Sequence, residues 1–170
     1  MKSYLTLLLL VLSLGLFAQG TLKSGYIDVE YVISMMPETE TANKALEGYY
    51  NQLLEELEKE YAELEKMENQ FDSLAALADP PRIKLQLLGE KIQMGYTSLQ
   101  DLQIAAEEEI TEKELELFEP IYNKVDSALK SVATTEGYDV VYRIESLAFA
   151  NEETMFDLSD MVIEALTKEE

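Results

Sequence analysis

The sequence predicts an α+β protein that is mostly helical, with a small β-body and a long protruding helical hairpin. Apolar residues recur at intervals of three or four over about residues 38–132, which is the spacing of an amphipathic helix or a coiled-coil seam. A Pro80-Pro81 pair interrupts this stretch near its middle. Short segments rich in β-forming residues precede and follow it. Together these observations predict a helical hairpin flanked by strands.

The hairpin is assigned to residues 37–120, with its tip near 79–81. Neither proline of the pair can continue a helix, because each ring removes a backbone donor and restricts the residue before it. An arm of roughly 40 residues would be about 60 Å long at 1.5 Å per residue. We therefore expect the arms to be stabilised by each other. The predicted seam comprises Leu46, Tyr50, Leu53, Leu57, Tyr61, Leu64, Met67, Phe71 and Leu74, then Leu85, Leu88, Ile92, Tyr96, Leu99, Gln103, Ala106 and Ile110.

The composition argues against several functional classes. The chain has 170 residues and a formal net charge of -21, which disfavours binding to nucleic acid and to anionic lipid. It contains no Cys and no His, so thiolate chemistry, the commonest metal ligand and the usual general base are all missing. Its many Glu side chains lie along predicted helices, whereas hard cations need oxygens that converge from a turn or loop. We expect no enzymatic activity, no cofactor and no metal site.

Residues 1–18 are predicted to be a signal peptide, with cleavage near 18–20. An apolar run from Leu5 to Leu16 follows a positively charged start, and a small residue for cleavage stands at Ala18 or Gly20. The run is too short for a convincing membrane span, although an uncleaved N-terminal anchor is the alternative. We expect residues 19–170 to be exported as a single soluble domain.

The predicted body comprises residues 23–36 and 121–168. Strands are expected at Gly25–Val29, Tyr138–Ile144 and Leu147–Ala150, because these segments are rich in β-forming residues. A short helical turn is expected at Tyr31–Met35. A sheet of about three short strands is marginal alone, so we expect several copies of the chain to pool their strands.

Several residues are expected to begin, kink, end or cap the helices. Pro37 stands where a helix can begin, since its missing amide hydrogen would have no partner there. Pro120 is expected to kink the second arm or to mark its junction with the body. Gly137 is expected to end that helix, and Asp157 or Ser159 to cap a final one.

The hairpin tip combines basic and apolar residues. Lys66, Arg82, Lys84 and Lys91 lie there among several acids. Exposed apolar patches usually mark contact surfaces, although these apolar residues could instead seal the end of the hairpin. The candidate contact residues are Phe71, Leu74, Leu77, Ile83, Leu85 and Leu88.

The order of motifs resembles that of the Skp/OmpH family of periplasmic chaperones. It runs from Gly25-Tyr26-Ile27-Asp28-Val29 and Met36-Pro37-Glu38, through the charged hairpin, to Pro120-Ile121, Gly137-Tyr138-Asp139-Val140-Val141 and Asp157-Leu158-Ser159. The resemblance implies a homotrimer with a shared β-body and a periplasmic location. It also implies a holdase that keeps unfolded outer-membrane β-barrel proteins in a cavity between helical arms, without ATP and without catalytic residues.

One departure from the family concerns charge, because its best-known member is strongly basic whereas this chain is strongly acidic. Clients should therefore be held mainly by apolar and aromatic contacts, or should themselves be basic. The alternative hypothesis is a structural or adaptor protein of the cell envelope, whose coiled-coil arms bind one folded partner. An enzyme is the third hypothesis, and the missing residue types argue against it.

Overall fold

The computed structural model describes residues 22–151 and 153–168, and the predicted signal peptide lies outside these residues. The described chain divides into two compact units. One, called here the hairpin, comprises residues 36–122. The other, called here the body, comprises the residues before 36 and after 122. The fold is α+β and mostly helical, with a small strand body and long helices, as the sequence predicts.

The hairpin is built from helix α2, Pro37–Ala75, and helix α3, Arg82–Glu136, which continues into the body. The prediction that the arms separate at Pro80-Pro81 is confirmed, because both prolines lie in the turn between the helices. Pro37 occupies the first turn of α2 as expected. Pro120 does not end α3, which remains helical on both sides of it.

The two arms pack through the centre of the predicted seam. Leu53 and Leu64 of α2 and Leu88, Leu99 and Ala106 of α3 are all buried. Four predicted seam members, Tyr50, Tyr61, Tyr96 and Gln103, are exposed, so they lie at the edge of the seam and not in its buried centre. A phenol or amide group retains water or a polar partner at the edge of such a seam, whereas a leucine side chain does not need one.

The sheet of the body has three parallel strands in the order β2-β1-β3. Strand β1 is Ser24–Ile27, β2 is Val140–Arg143 and β3 is Met155–Asp157. Tyr26 pairs with Tyr142 on one side and with Asp157 on the other.

Two strand predictions need correction. Leu147–Ala150 is not a strand: a 3-10 helix at Ile144–Ser146 precedes it, and β3 forms further along the chain, where it pairs with β1. Val29 is not in β1 but begins helix α1, Val29–Ser34. The Asp28 carboxylate caps that helix by accepting the Tyr31 amide at 2.9 Å, so the chain turns into a helix one residue before the predicted strand end.

The core of the body lies between the sheet and its two short helices, α1 and α4, Ser159–Lys168. Ile27, Val32, Leu158 and Val162 are each at most 1% exposed. At the start of α4, the Asp157 carboxylate accepts the Ser159 amide at 2.9 Å, which bears out the expected role of Asp157. The Ser159 hydroxyl accepts the Asp28 amide at 2.9 Å and so joins α4 to the end of β1.

Gly137 ends α3 as predicted, with a φ of 70°. The Tyr138 amide donates to the Ala133 carbonyl at 2.8 Å, and the Gly137 amide donates to the Thr134 carbonyl at 3.3 Å. These two bonds are those of a Schellman motif, which satisfies carbonyls that the helix end would otherwise leave free. The next residue, Asp139, forms two hydrogen bonds with the backbone of Lys23, which lies next to β1. The Asp139 carboxylate accepts the Lys23 amide, and the Asp139 amide donates to the Lys23 carbonyl.

Candidate functional site

The tip of the hairpin is a short turn between two helix ends. The Ala76 amide donates to the Asp72 carbonyl at 3.0 Å, which closes the last turn of α2. The Leu85 amide donates to the Pro81 carbonyl at 3.0 Å, which opens the first turn of α3. The prolines have no amide hydrogen to satisfy, so they can occupy the connection without an unpaired donor.

The six residues predicted to contact a client differ in exposure. Leu77 is 52% exposed and Ile83 is 78% exposed, and both lie at the end of the hairpin. Phe71, Leu74 and Leu85 are half-buried. Leu88 is only 8% exposed, so it belongs to the packing between the arms. The structure therefore leaves Leu77 and Ile83 as the most accessible of the six.

Basic side chains also occur near the end of the hairpin. Arg82 and Lys84 flank Ile83 in sequence and are themselves exposed. Lys66 is further down α2, where its ammonium group forms an exposed ion pair with Glu63 at 2.7 Å. The end of the hairpin thus combines apolar and cationic side chains in a chain that is otherwise strongly acidic.

An open cleft of about 520 Å³ lies beside the tip, along one flank of the hairpin. A Cβ atom on Gly89 would lie 3.6 Å from Cε2 of Phe71, so the Phe71 ring rests close to the backbone of the opposite arm. The cleft is lined by Glu65, Glu68, Asn69, Phe71, Asp72, Gly89 and Ile92. Its lining combines carboxylates with an aromatic ring and an aliphatic side chain.

Hydrogen bonds from tyrosine to glutamate join the arms on their surface. The Tyr96 hydroxyl of α3 donates to Glu68 of α2 at 2.5 Å, and the Tyr49 hydroxyl of α2 donates to Glu109 of α3 at 2.5 Å. The bond to Glu68 raises the pKa of Tyr96 above its ordinary value, and partial removal from water adds to the rise. The bond to Glu109 acts on the pKa of Tyr49 in the same way.

A third contact between the arms accounts for a polar residue in the predicted seam. The Gln103 side-chain amide of α3 donates to the Tyr61 hydroxyl of α2 at 2.9 Å. Together with the two tyrosine–glutamate bonds, this contact holds the arms in a defined register. These polar bonds flank the buried leucines and do not replace them.

Helix α3 also carries a set of exposed apolar residues that are absent from the predicted contact residues. Met94 is 70% exposed, Ile104 52%, Leu115 63% and Tyr122 49%. We call these four residues the outer stripe. The signal was present in the sequence, because the stripe forms a second pattern at helical spacing beside the seam. It was hidden because acidic residues alternate with its members.

The described residues contain no group of three or more Asp and Glu side chains placed to hold a metal ion. In the same part of the chain, none of the helices combines the length and the apolar character needed to cross a membrane.

A profile of the family described as outer membrane protein (OmpH-like) matches residues 23–166. Similar proteins include the chaperone protein Skp of Pectobacterium atrosepticum, which is 26% identical over 152 residues, or 82% of this chain and 84% of that protein. The chaperone protein Skp of Vibrio cholerae serotype O1 is 25% identical over 154 residues, or 88% of this chain and 86% of that protein.

A solved structure also resembles the chain. It is a protein of Caulobacter crescentus CB15 described as an OmpH-like outer membrane chaperone, with a TM-score of 0.69 at 17% identity. The match covers 91% of this chain and 92% of that one, and at this identity it concerns the fold alone. The family profile spans nearly all of the described residues and confirms the resemblance in the motifs. The chain therefore belongs to the OmpH-like outer membrane protein family.

Proposed function

We propose that this protein is a periplasmic holdase chaperone, which binds unfolded outer-membrane β-barrel proteins and prevents their aggregation without ATP. The observation that carries the proposal is the exposure of Leu77 and Ile83 at the end of the hairpin. Unfolded barrel proteins expose apolar segments, and such segments can bind accessible apolar side chains. Membership of a family whose similar members are named chaperones supports the same function.

We propose further that the protein acts as a homotrimer whose bodies share their strands. Within residues 22–151 and 153–168, the sheet of one chain has three strands of three or four residues each, which is marginal for an independent sheet. Phe149 is 80% exposed and Phe156 is 47% exposed, and both lie in the body. Contact between copies would remove these rings from water, and clients would be held between the hairpins of the three copies.

The test is light scattering on a sizing column, with the chain from Gln19 onward. The protein is run alone and after rapid dilution together with a urea-unfolded outer-membrane barrel protein. We expect a trimer alone, and a trimer that carries one client after dilution. A monomer in both runs would refute the shared body.

A variant pair then tests the contribution of the tip. Leu77→Ser with Ile83→Ser should reduce the amount of client kept soluble. The control is Leu54→Ser, at a residue of α2 that is 38% exposed and distant from the tip in sequence. A trimer that ignores unfolded clients but retains one folded partner would instead support an envelope adaptor.

A further inference from the structure

The outer stripe lies on the face of α3 directed away from α2. In an α-helix, residues five positions apart differ by nearly half a turn. Leu99, which is buried between the arms, is five positions after Met94 and five before Ile104. Leu115 and Tyr122 follow at intervals of eleven and seven residues, which are close to whole numbers of turns. The four exposed side chains therefore share one face, opposite the seam.

Helix α2 has no equivalent surface. Its large exposed apolar residues Tyr50, Leu54 and Tyr61 lie within three positions of the buried Leu53 or Leu64, so they border the seam. The opposite face of α2 carries small and polar residues: Gly48, Asn51, Glu55, Ala62, Lys66 and Asn69. A face opposite the seam that carries exposed apolar side chains is thus found on α3 and not on α2.

Carboxylates alternate with the apolar members of the stripe. Asp101, Glu108 and Glu119 lie between Met94 and Tyr122 on the same face, and every step from Asp101 to Tyr122 along the mixed series is three, four or seven residues. The single Lys or Arg of α3 between Met94 and Glu119 is Lys113. Its ammonium group lies over the Tyr49 ring of α2, 6.0 Å from the ring centre, and so is directed towards the other arm.

The carboxylates of the outer stripe favour some binding partners of this face over others. A second copy of the same face would bring two rows of carboxylates together, and like charges repel. An anionic lipid surface would be repelled for the same reason. A chain segment that alternates apolar residues with Lys or Arg matches both features, because its cations can pair with the carboxylates while its apolar side chains cover the stripe.

We propose that the outer stripe binds cationic, apolar segments of unfolded polypeptides. The inference rests on the holdase function proposed above and names the class of client segment that this arm prefers. The stripe spans 28 helical positions, or about 42 Å at 1.5 Å per residue. An extended segment of about 12 residues would cover that length at 3.3 Å per residue.

The experiment compares two labelled synthetic peptides of 12 residues with the same alternating apolar residues. One peptide has Lys at the remaining positions and the other has Glu. Fluorescence anisotropy measures their binding to the intact chain from Gln19 onward. We expect the Lys peptide to bind at least about tenfold more tightly, with an affinity that falls as salt is added.

Matched charge variants separate the stripe from the general negative charge of the protein. Asp101→Asn, Glu108→Gln and Glu119→Gln together should weaken binding of the Lys peptide about tenfold, because three exposed charge pairs are removed. The control is Glu47→Gln, Glu55→Gln and Glu56→Gln, which removes the same charge from exposed positions of α2. It should change the affinity less than about twofold. Equal losses in the two triple variants would overturn the proposal.

A second variant tests the apolar part of the surface. Ile104→Ser with Leu115→Ser should also weaken binding of the Lys peptide, and neither change touches the buried seam. Unchanged affinity would show that charge alone attracts the peptide and would refute the stripe as a docking surface.

The failure of this inference and of the holdase proposal can be distinguished. If a barrel client stays soluble but the Glu peptide binds as tightly as the Lys peptide, the holdase function stands and the inference is wrong. If the barrel client aggregates in the presence of the protein, the holdase proposal itself fails.

Discussion

A Cβ atom on Gly25 would lie 2.3 Å from Cδ1 of Leu158, which is far inside van der Waals contact. It would also lie 2.9 Å from the Phe156 carbonyl oxygen, which belongs to strand β3. Leu158 is fully buried and its amide donates to the Tyr26 carbonyl at 2.8 Å, so it has little room to move. Only glycine at position 25 lets β1 lie this close to the chain that leads from β3 into α4.

Gly25→Ala should therefore destabilise the protein. Overpacking a filled core typically costs about 1–3 kcal/mol, and here both a buried side chain and a backbone oxygen obstruct the new methyl group. Urea unfolding followed by circular dichroism should show a lower midpoint. The control is Gly48→Ala in the middle of α2, where an added Cβ meets nothing within 4 Å. That change should raise stability by about 0.5–1 kcal/mol. Equal effects of the two substitutions on stability would contradict the close contact of β1 with Leu158 at Gly25.

Leu64→Ala should open a cavity between the arms. Leu64 is 4% exposed, and a Cβ on Gly95 of the other arm would lie only 2.9 Å from its Cδ1. Leucine-to-alanine changes at such buried sites typically cost about 2–5 kcal/mol. Leu54→Ala, at a residue that is 38% exposed, should cost much less and serves as the control. Similar losses of unfolding free energy in both variants would argue against the arm contact.

The tyrosine–glutamate bonds predict a decline in stability at alkaline pH. Glu68 holds the pKa of Tyr96 above its ordinary value because it accepts the phenolic hydrogen. A raised folded pKa means that the neutral phenol is favoured in the folded state. The bond to Glu68 therefore contributes fully to stability at pH values below the unfolded pKa of about 10. That contribution is lost as pH rises through the folded pKa.

Tyr96→Phe tests this dependence. Urea midpoints measured from pH 8 to pH 11 should fall less steeply above about pH 10 in the variant than in the parent protein. Tyr49, whose pKa Glu109 raises, should keep part of the decline. The control substitution is Tyr122→Phe, which removes a phenol that takes part in none of the hydrogen bonds described between the arms. If the urea midpoint fell equally steeply with pH in the Tyr96 variant and in the parent, the bond to Glu68 would not be a cause of the decline.

Some elements could be predicted because their causes are local. Leucines repeated every three or four residues define a helix face, Pro80-Pro81 cannot continue a helix, and Gly137 accepts the positive φ that ends α3. The family resemblance likewise lay in short motifs that the profile match confirms. Contact of the six tip residues with a client stays a prediction. One of the six, Leu88, lies between the arms.

Other elements depended on residues far away in the chain. Leu147–Ala150 has the composition of a strand, but β3 forms at Met155–Asp157 because that segment pairs with β1 and leads into the buried Leu158. The outer stripe is present in the sequence at helical spacing, but the sequence does not show whether that face of α3 is covered or exposed.

The sequence by itself determined the two arms, the turn between them, the acidic charge and the family, because helix periodicity, proline and glycine act within a few residues. Only the tertiary structure decided which strand segment joins β1, which tyrosines bond to the opposite arm and which apolar residues of α3 stay in water. Burial and strand pairing are set by distances between segments that lie far apart in sequence, and a local pattern contains no such distances.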